Sequence, residues 1–468
     1  MSVAMAEHSS GASEALKAEE RAPFGWLGVV RLGVVQMALG AIIVLTTSTL
    51  NRVMVVELAL PAVLPGALVG WHYAVQMTRP RWGYGADRGG RRAPWIVGGV
   101  GVLGVGAIAA AAAAALMASA PVLGIVAAAA AFTLIGVGVG AAGTNLLALL
   151  AMRTAPSRKA AAAAIVWIMM IFGFVLTAGV AGAMLDPFSM QRLVMVTAGV
   201  AGVALFASAL AIWGVEGRAH VSPVVATADA PSTTGESAFR TALKEVWADD
   251  QARRFTIFVF VSMLAYSAQD LILEPFAGII YGLTPGESTK LSGVQNGGVL
   301  IGMIVTAVVG TLVGKSKAGF MRRWTMAGCV ASGLALLMLA LGALIGPAWP
   351  LKPSVFFLGL SNGAFAVAAI GSMMTLASAG PKAREGTRMG LWGAAQAVAF
   401  GLGGFLGAAA VDVARVALGE PGGAFAIVFA VEGLVFWVAA YLAGRVGRTQ
   451  ADGMTLPMMP AGDQVPAE

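Results

Sequence analysis

The sequence predicts an all-α polytopic membrane protein, with twelve transmembrane helices in two pseudo-symmetric six-helix bundles. Three observations predict it. Of the 468 residues, 58% are apolar and 11% charged, and the mean hydropathy is +0.82; a soluble domain carries about 25% charged residues. Twelve apolar runs reach membrane-spanning length, and one long hydrophilic interruption, 216–250, divides them six and six. Of the 30 Lys and Arg, all but Arg52, Arg192, Lys290, Lys352 and Arg415 fall in the tails and alternate loops of one side. That asymmetry places both termini in the cytoplasm. It also makes the net charge of +7 a topology signal, with no nucleic-acid partner implied.

Residues 1–31 hold Glu7, Glu14, Glu19 and Glu20 and lack an apolar stretch followed by a cleavage site. They read as a cytoplasmic tail rather than a signal peptide. The N-terminal bundle, 32–215, has spans at 32–51, 60–79, 94–117, 121–151, 161–185 and 193–215. Residues 216–250 carry Ser222-Pro223, Pro231-Ser232-Thr233-Thr234 and mixed charges. They predict a flexible cytoplasmic linker ending in an amphipathic stretch around Phe239–Val246. The C-terminal bundle, 251–447, has spans at 255–281, 290–314, 324–346, 354–378, 389–412 and 423–444, and 448–468 form a cytoplasmic tail. The 62 glycines predict helices packed backbone to backbone. Gly136/Gly140 and Gly403/Gly407, at GxxxG spacing, read as helix contacts. The single cysteine, Cys329, lies in an apolar stretch, so no disulfide forms within the chain.

Weak internal symmetry supports two duplicated halves. Ala155-Pro156-Ser157-Arg158-Lys159 is matched 225 residues on (155 to 380) by Gly380-Pro381-Lys382-Ala383-Arg384. The loop that begins at Gly83 is matched 227 residues on (83 to 310) by Gly310 through Lys315, which keeps a glycine and a cation but lacks an aspartate.

A charge at the bilayer centre costs on the order of 3 kcal/mol or more, so intramembrane polar residues are the candidate sites. Glu432 falls near the midplane of the last span and reads either as a ligand or protonated acid for a membrane-dissolved partner, or as a hydrogen bond to a neighbouring helix. Asp270 and Glu274 lie one turn apart on one face of span seven. Arg52 and Glu57 lie at the end of span one, at a comparable depth. These four predict a periplasmic charge cluster in which Arg52 latches onto Asp270 or Glu274; the plainer reading is solvated loop-edge charges. His72 is the only histidine within a span. It reads either as an axial ligand for a magnesium-centred pigment or as a packing residue. Trp71, Trp167 and Trp392 read as packing or interfacial side chains.

Residues Gly83-Tyr84-Gly85-Ala86-Asp87-Arg88-Gly89-Gly90-Arg91-Arg92 fit GxxxDRxGRR at each fixed position: Gly83, Asp87, Arg88, Gly90, Arg91 and Arg92. This decapeptide closely resembles the loop between helices 2 and 3 of the major facilitator superfamily. Its physics suits a membrane boundary: Gly83 permits close approach, Asp87 can face a helix N-terminus, and the arginines suit an anionic leaflet. Further stretches narrow the resemblance. They are Thr46-Thr47-Ser48-Thr49-Leu50-Asn51-Arg52-Val53-Met54-Val55-Val56-Glu57-Leu58, then His72-Tyr73-Ala74-Val75-Gln76 with Arg79-Pro80, then Gln269-Asp270-Leu271-Ile272-Leu273-Glu274-Pro275-Phe276 with Tyr281-Gly282-Leu283-Thr284. Over most of 25–447 the chain resembles the PucC/LhaA family of purple phototrophic bacteria. The resemblance implies a light-harvesting antenna assembly factor in the inner, intracytoplasmic photosynthetic membrane. It would deliver or handle bacteriochlorophyll, or help insert antenna polypeptides, with the pigment as cargo and no tightly bound cofactor.

Two other functions compete. A prenyl transferase needs clustered aspartates to hold magnesium diphosphate. The only adjacent pair here is Asp249-Asp250, and no GxxxxGK[ST] nucleotide loop is present, so an enzyme is not expected. A secondary transporter of a small solute remains the alternative. It needs a polar midplane site; the central spans are poor in charge, with span four offering Thr144 and Asn145 and span ten Ser361 and Asn362. That inventory suits a greasy macrocycle or a scaffold better than a sugar or an ion.

Overall fold

The computed structural model describes residues 24–79, 82, 91–155, 158–216, 244, 247–312, 319–378 and 385–446. A chain in lipid must satisfy its backbone groups internally, and here it does so with helices. In the N-terminal half they are α1 (Trp26–Glu57), α2 (Val63–Gln76), α3 (Ala93–Met117), α4 (Pro121–Arg153), α5 (Lys159–Met184) and α6 (Met190–Ile212). In the C-terminal half they are α7 (Asp250–Tyr281), α8 (Pro285–Leu312), α9 (Phe320–Ile345), α10 (Leu351–Ser378), α11 (Glu385–Leu418) and α12 (Pro421–Arg445). Among the described residues each expected span contains a helix, and 11 of these helices are long and apolar enough to cross a membrane. The exception is α2. Its 14 residues rise roughly 21 Å at 1.5 Å each, because at its start the chain needs Leu58–Ala62 to turn after an α1 that continues past 51, and at its end Met77 and Thr78 form a turn. The chain alternates between two faces, here called the terminal face, where Phe24 and Val446 lie, and the far face.

Helix ends are set by local chemistry. Proline occupies the first turn of α3, α4 and α12, where a missing N–H costs nothing. Ser189 Oγ accepts from Arg192 N at 3.1 Å to open α6. Asp249 Oδ1 accepts from Gln251 N and Ala252 N at 3.0 and 3.3 Å to open α7. Thr284-Pro285-Gly286-Glu287 forms a capping box at α8: Thr284 N donates to Glu287 Oε2 (2.9 Å) and Glu287 N to Thr284 Oγ1 (3.1 Å). Gly282, at φ +68°, ends α7 in the left-handed region that favours glycine.

Two cores form. One draws on residues from Phe24 to Val215 plus Leu271, and the other runs from Phe255 to Val446. Their packing chemistry differs. In the first, α3 meets α4 through glycine: a Cβ on Gly99 would stand 2.6 Å from Ala142 N, and one on Gly106 would stand 2.8 Å from Ile135 N. In the second, phenylalanines interlock edge to face, with Phe276–Phe429 centroids 5.0 Å apart at 80° and Phe365–Phe436 at 6.0 Å and 82°. Cys329 is buried within it. The expected glycine contacts are present: Gly136 faces the His72 carbonyl and Val75, Gly140 faces Trp82, Gly403 faces the Leu264 backbone and Gly407 faces Ala268. Trp392 is packed at 4.8 Å from Phe255.

The halves join where α1 meets α7, α2 meets α11 and α5 meets α8. Asp412, on α11, closes the far face by accepting from Ala62 N (3.0 Å) and Val63 N (2.7 Å), so it caps α2 from the opposite bundle. Lys290 of α8 stands 4.0 Å from Asp186, between α5 and α6.

Candidate functional site

The helices gather the intramembrane polar residues into two groups, one near the far face and one deeper. The far group begins in α1, which carries π-helical stretches at Leu45–Thr49 and Val53–Glu57. Such bulges recur at functional sites because they widen the helix and re-aim its side chains. Thr46 and Thr47 both donate to the Ile43 carbonyl, at 2.9 and 3.0 Å. Thr49 Oγ1 meets Thr289 Oγ1 of α8 at 3.0 Å.

Asn51 Nδ2 donates to the Leu271 carbonyl of α7. The reason lies four residues on. Pro275 has no N–H, so the Leu271 carbonyl loses its helical partner, and the Asn51 amide replaces it across the bundle interface. Asn51→Ala is expected to destabilise the protein by about 1–3 kcal/mol, the cost of a buried polar group left unpaired. Pro275→Ala restores the N–H, so in Pro275→Ala protein the Asn51→Ala cost should largely vanish. Unfolding of the four proteins in detergent measures this cycle; additive costs would show that the two residues are not linked.

Arg52 is 2% exposed and lies inside the helix rather than at a solvated edge. Its Nη1 is ion-paired with Glu57, and its Nη2 donates to the Leu283 carbonyl. The Gly282 turn presents that carbonyl, and Gly278 makes room, since a Cβ there would stand 3.1 Å from Arg52 Nη2. The expected direct latch from Arg52 to Asp270 or Glu274 is not formed among the described residues. The π register explains this. It brings positions five apart together, so Glu57 reaches Arg52 within α1. Glu274 is instead held by two hydroxyls one turn apart on α8, Ser288 (3.1 Å) and Ser292 (2.6 Å), while still within Coulombic reach of Arg52.

Asp270 belongs to the deeper group. It lies near Tyr73 of α2, Tyr266 one turn earlier, and Glu432 of α12. Phe400 of α11 sits between the tyrosines, 5.8 Å from Tyr73 and 5.9 Å from Tyr266. These three rings and Asp270 are each half-buried at the bundle interface. The His72 ring lies tilted at 46° beside Tyr73, centroids 4.2 Å apart, and meets Phe132 of α4 edge-on at 6.5 Å. Its Nδ1–H donates to the Val69 carbonyl at 2.6 Å. A carbonyl only accepts, so this bond places the proton on Nδ1 and leaves the lone pair on Nε2, the tautomer that a ligand nitrogen needs. Yet His72 is only 2% exposed.

Glu432 does not face lipid. It is buried, and both carboxylate oxygens lack a hydrogen-bond partner. Gln269 is likewise buried, with both amide atoms unpartnered. α7 and α12 run antiparallel and meet through Phe276 with Phe425 and Phe429, at 5.4 and 5.0 Å. Seven residues deeper on each helix, about 10 Å at 1.5 Å per residue, Gln269 and Glu432 therefore share a level. His72 and Glu432 do not meet; Asp270 and Tyr73 lie between them. Among the described residues there is no group of three or more His, Cys, Asp or Glu able to hold a metal ion.

Of the loop motif, Gly83, Asp87, Arg88 and Gly90 lie outside the described residues, and Arg91 and Arg92 lie within them. Arg92 Nη1 donates to Asn145 Oδ1 of α4 at 3.1 Å. Asn145, expected among the polar groups open to a solute, is thus committed to Arg92 at the start of α3. The carboxylate seen at the α3 N-terminus is Glu216, which accepts from Arg92 N (2.6 Å) and Ala93 N (2.9 Å). The sequence reading missed Glu216, Asp412, Ser288 and Ser292. Of these, only the two serines gave a signal, their four-residue spacing on a helix facing an acid.

A family model described as "PUCC protein" matches residues 49–451. The Rhodobacter capsulatus protein named "Bacteriochlorophyll synthase 44.5 kDa chain" is 51% identical over 424 residues, 90% of this chain and 96% of that one. "Protein PucC" of Rhodobacter capsulatus is 30% identical over 442 residues, 90% of this chain and 92% of that one. Among solved structures, a peptide transporter POT in complex with sulfate superposes with a TM-score of 0.64 at 17% identity, covering 92% of this chain and 98% of that one. The nucleoside transporter NupG gives a TM-score of 0.60 at 14% identity, covering 90% and 100%. At such identities the structural likeness establishes the major facilitator fold alone.

Proposed function

The chain belongs to the PUCC protein family, and from that premise we propose that it is a light-harvesting antenna assembly factor. In this reading it handles bacteriochlorophyll, or the antenna polypeptides that receive it, as cargo within the photosynthetic inner membrane, with both termini cytoplasmic. One observation carries the reading. The half-buried surface between the bundles is formed by Tyr73, Phe400 and Tyr266 around a single acid, Asp270. Such a surface offers ring faces to a flat apolar macrocycle, with two phenol hydroxyls and one carboxyl at hand for polar groups on its rim. His72 and Glu432, the sequence-derived pigment ligands, stand one layer behind it. Direct ligation by either would require α2 or α12 to move.

Chemistry on the pigment is not part of this reading. The one adjacent aspartate pair is occupied structurally: Asp249 caps α7, and Asp250 pairs with Arg253 and Arg254. The transporter fold favours the second reading, a carrier of a small solute. Deletion separates the two. Loss of the gene from a phototroph should strip antenna absorbance while growth without light continues; normal antennae with a solute-uptake defect would establish the carrier instead. Tyr73→Ala with Tyr266→Ala should reproduce the absorbance loss at normal protein levels.

A further inference from the structure

On the outer side of the N-terminal bundle, the first turns of α3 stand away from α4 around a cavity of 350 Å³. Its walls are the indoles of Trp82 and Trp95, 6.0 Å apart. Trp82 Nε1–H donates to Thr78 Oγ1 at 3.1 Å, so its polar edge is satisfied and its ring is free to line the space. The floor is two backbones in contact: a Cβ on Gly99 would stand 2.6 Å from Ala142 N, and one on Gly138 would stand 2.7 Å from Gly99 O. The mouth is different. A Cβ on Gly98 meets nothing within 4 Å, and Gly98 and Pro94 are exposed on the face of α3 turned out of the bundle. The cavity therefore opens sideways into the lipid.

Two exposed cations lie at the same end of α2 and α3, Arg91 and Arg79, the latter also donating through Nη2 to Gln76 Oε1. The stem of Arg79 runs beside Trp82 over Gly140, where a Cβ would stand 3.4 Å from the indole and 3.6 Å from Arg79 Cγ. Arg91 lies three residues before Pro94 and is exposed, whereas Arg92 is turned inward to Asn145. Tryptophans and arginines at this level mark the membrane–water interface. An apolar slot below a cationic rim matches a molecule with a long hydrocarbon chain and a negative head. We propose that this cavity is a binding site for one acyl chain of an anionic membrane lipid, with Arg79 and Arg91 drawing its phosphate. The assignment stands apart from the pigment reading, because it uses neither the bundle interface nor Glu432.

The test is quenching of tryptophan fluorescence in nanodiscs by phosphatidylglycerol with brominated chains, against phosphatidylcholine bearing the same chains. The wild-type protein should show a saturable component that phosphatidylglycerol fills at a roughly thirtyfold lower mole fraction, on the scale expected for two cations. Gly98→Leu places a side chain in the open space, so it should abolish that component with an unchanged melting temperature; Gly98→Ala, too small to fill the slot, should behave as wild type. Arg79→Ala with Arg91→Ala should keep the quenching and lose the preference. Equal quenching by the two lipids in the wild type overturns the proposal. So does a saturable component that survives Gly98→Leu, or displacement by an isoprenoid alcohol at lower concentration than a straight-chain alcohol of equal length.

Discussion

Gly302→Leu is expected to prevent folded protein from accumulating, whereas Gly199→Leu should be nearly silent. Gly298 and Gly302 on α8 face Gly359 and Gly363 on α10, two GxxxG pairs meshed with one another. A Cβ on Gly302 would strike the Leu360 carbonyl, one on Gly298 the Phe356 carbonyl, one on Gly359 the Gln295 carbonyl and one on Gly363 the Val299 carbonyl. Each obstacle is backbone, which cannot rotate aside as a side chain can. The helices would have to separate, and separation loses the close packing and Cα–H···O contacts that replace the hydrophobic effect between helices in lipid. A loss of about 4–5 kcal/mol or more is a large part of the 5–15 kcal/mol that holds a protein folded. Gly302→Ala should cost about 1–3 kcal/mol. At Gly199 a Cβ meets nothing within 4 Å and the residue is exposed. The yield of monodisperse protein and its melting temperature in detergent decide the matter; a Gly302→Leu protein that melts like the wild type would mean that α8 and α10 are not in backbone contact.

The same glycines show what a sequence reveals. GxxxG spacing is visible at Gly136/Gly140 and Gly403/Gly407, and those positions do meet neighbouring helices. The tighter α8–α10 seam has the same spacing, but its partners lie some 60 residues apart (302 to 360) and are paired only by the fold. Apolar runs and the bias of Lys and Arg report on the membrane as solvent, which acts on each segment separately, so twelve helices were legible. The shortness of α2 was not. Its late start follows from the π-helical extension of α1, which adds turns beyond Asn51 and contacts α7 and α8, and its early end from the turn at Met77 and Thr78.

The candidate site was legible in composition and opaque in pairing. Arg52, Glu57, Asp270 and Glu274 were readable as charges in apolar surroundings. Their partners were not, because one bulge brings Glu57 to Arg52 and α8 supplies the hydroxyls that hold Glu274. Asn51 illustrates the limit. Its amide serves a carbonyl 220 residues away, and only Pro275 hints that a carbonyl on α7 is in need. Caps that cross between elements, Glu216 at α3 and Asp412 at α2, follow no local rule, since the sequence preference for capping residues concerns the position just before a helix.

Glu432→Leu is expected to raise the stability of the protein while abolishing antenna assembly. The carboxylate is buried among α7, α9 and α12 with both oxygens unpartnered, at the level of the equally unpartnered Gln269. A buried polar group without a partner costs about 1–3 kcal/mol, and an apolar residue of similar size in its place removes that cost. Groups that lower stability in this way cluster where function requires them. Here the carboxyl and the Gln269 amide offer donors and acceptors one layer behind Asp270 and the tyrosine-lined surface. On the proposed reading they take up hydrogen bonds when cargo or client moves the helices. Thermal unfolding of Glu432→Leu in detergent should therefore show a gain of about 1–3 kcal/mol, and cells carrying it should lose antenna absorbance at normal levels of the protein. Glu432→Gln separates charge from shape: it keeps the hydrogen-bonding outline, so assembly that survives it assigns the role to hydrogen bonding, and assembly lost with it assigns the role to the acid. A fall in stability on Glu432→Leu would show that the carboxyl already has a structural partner, and full antenna levels in that variant would remove Glu432 from the functional site.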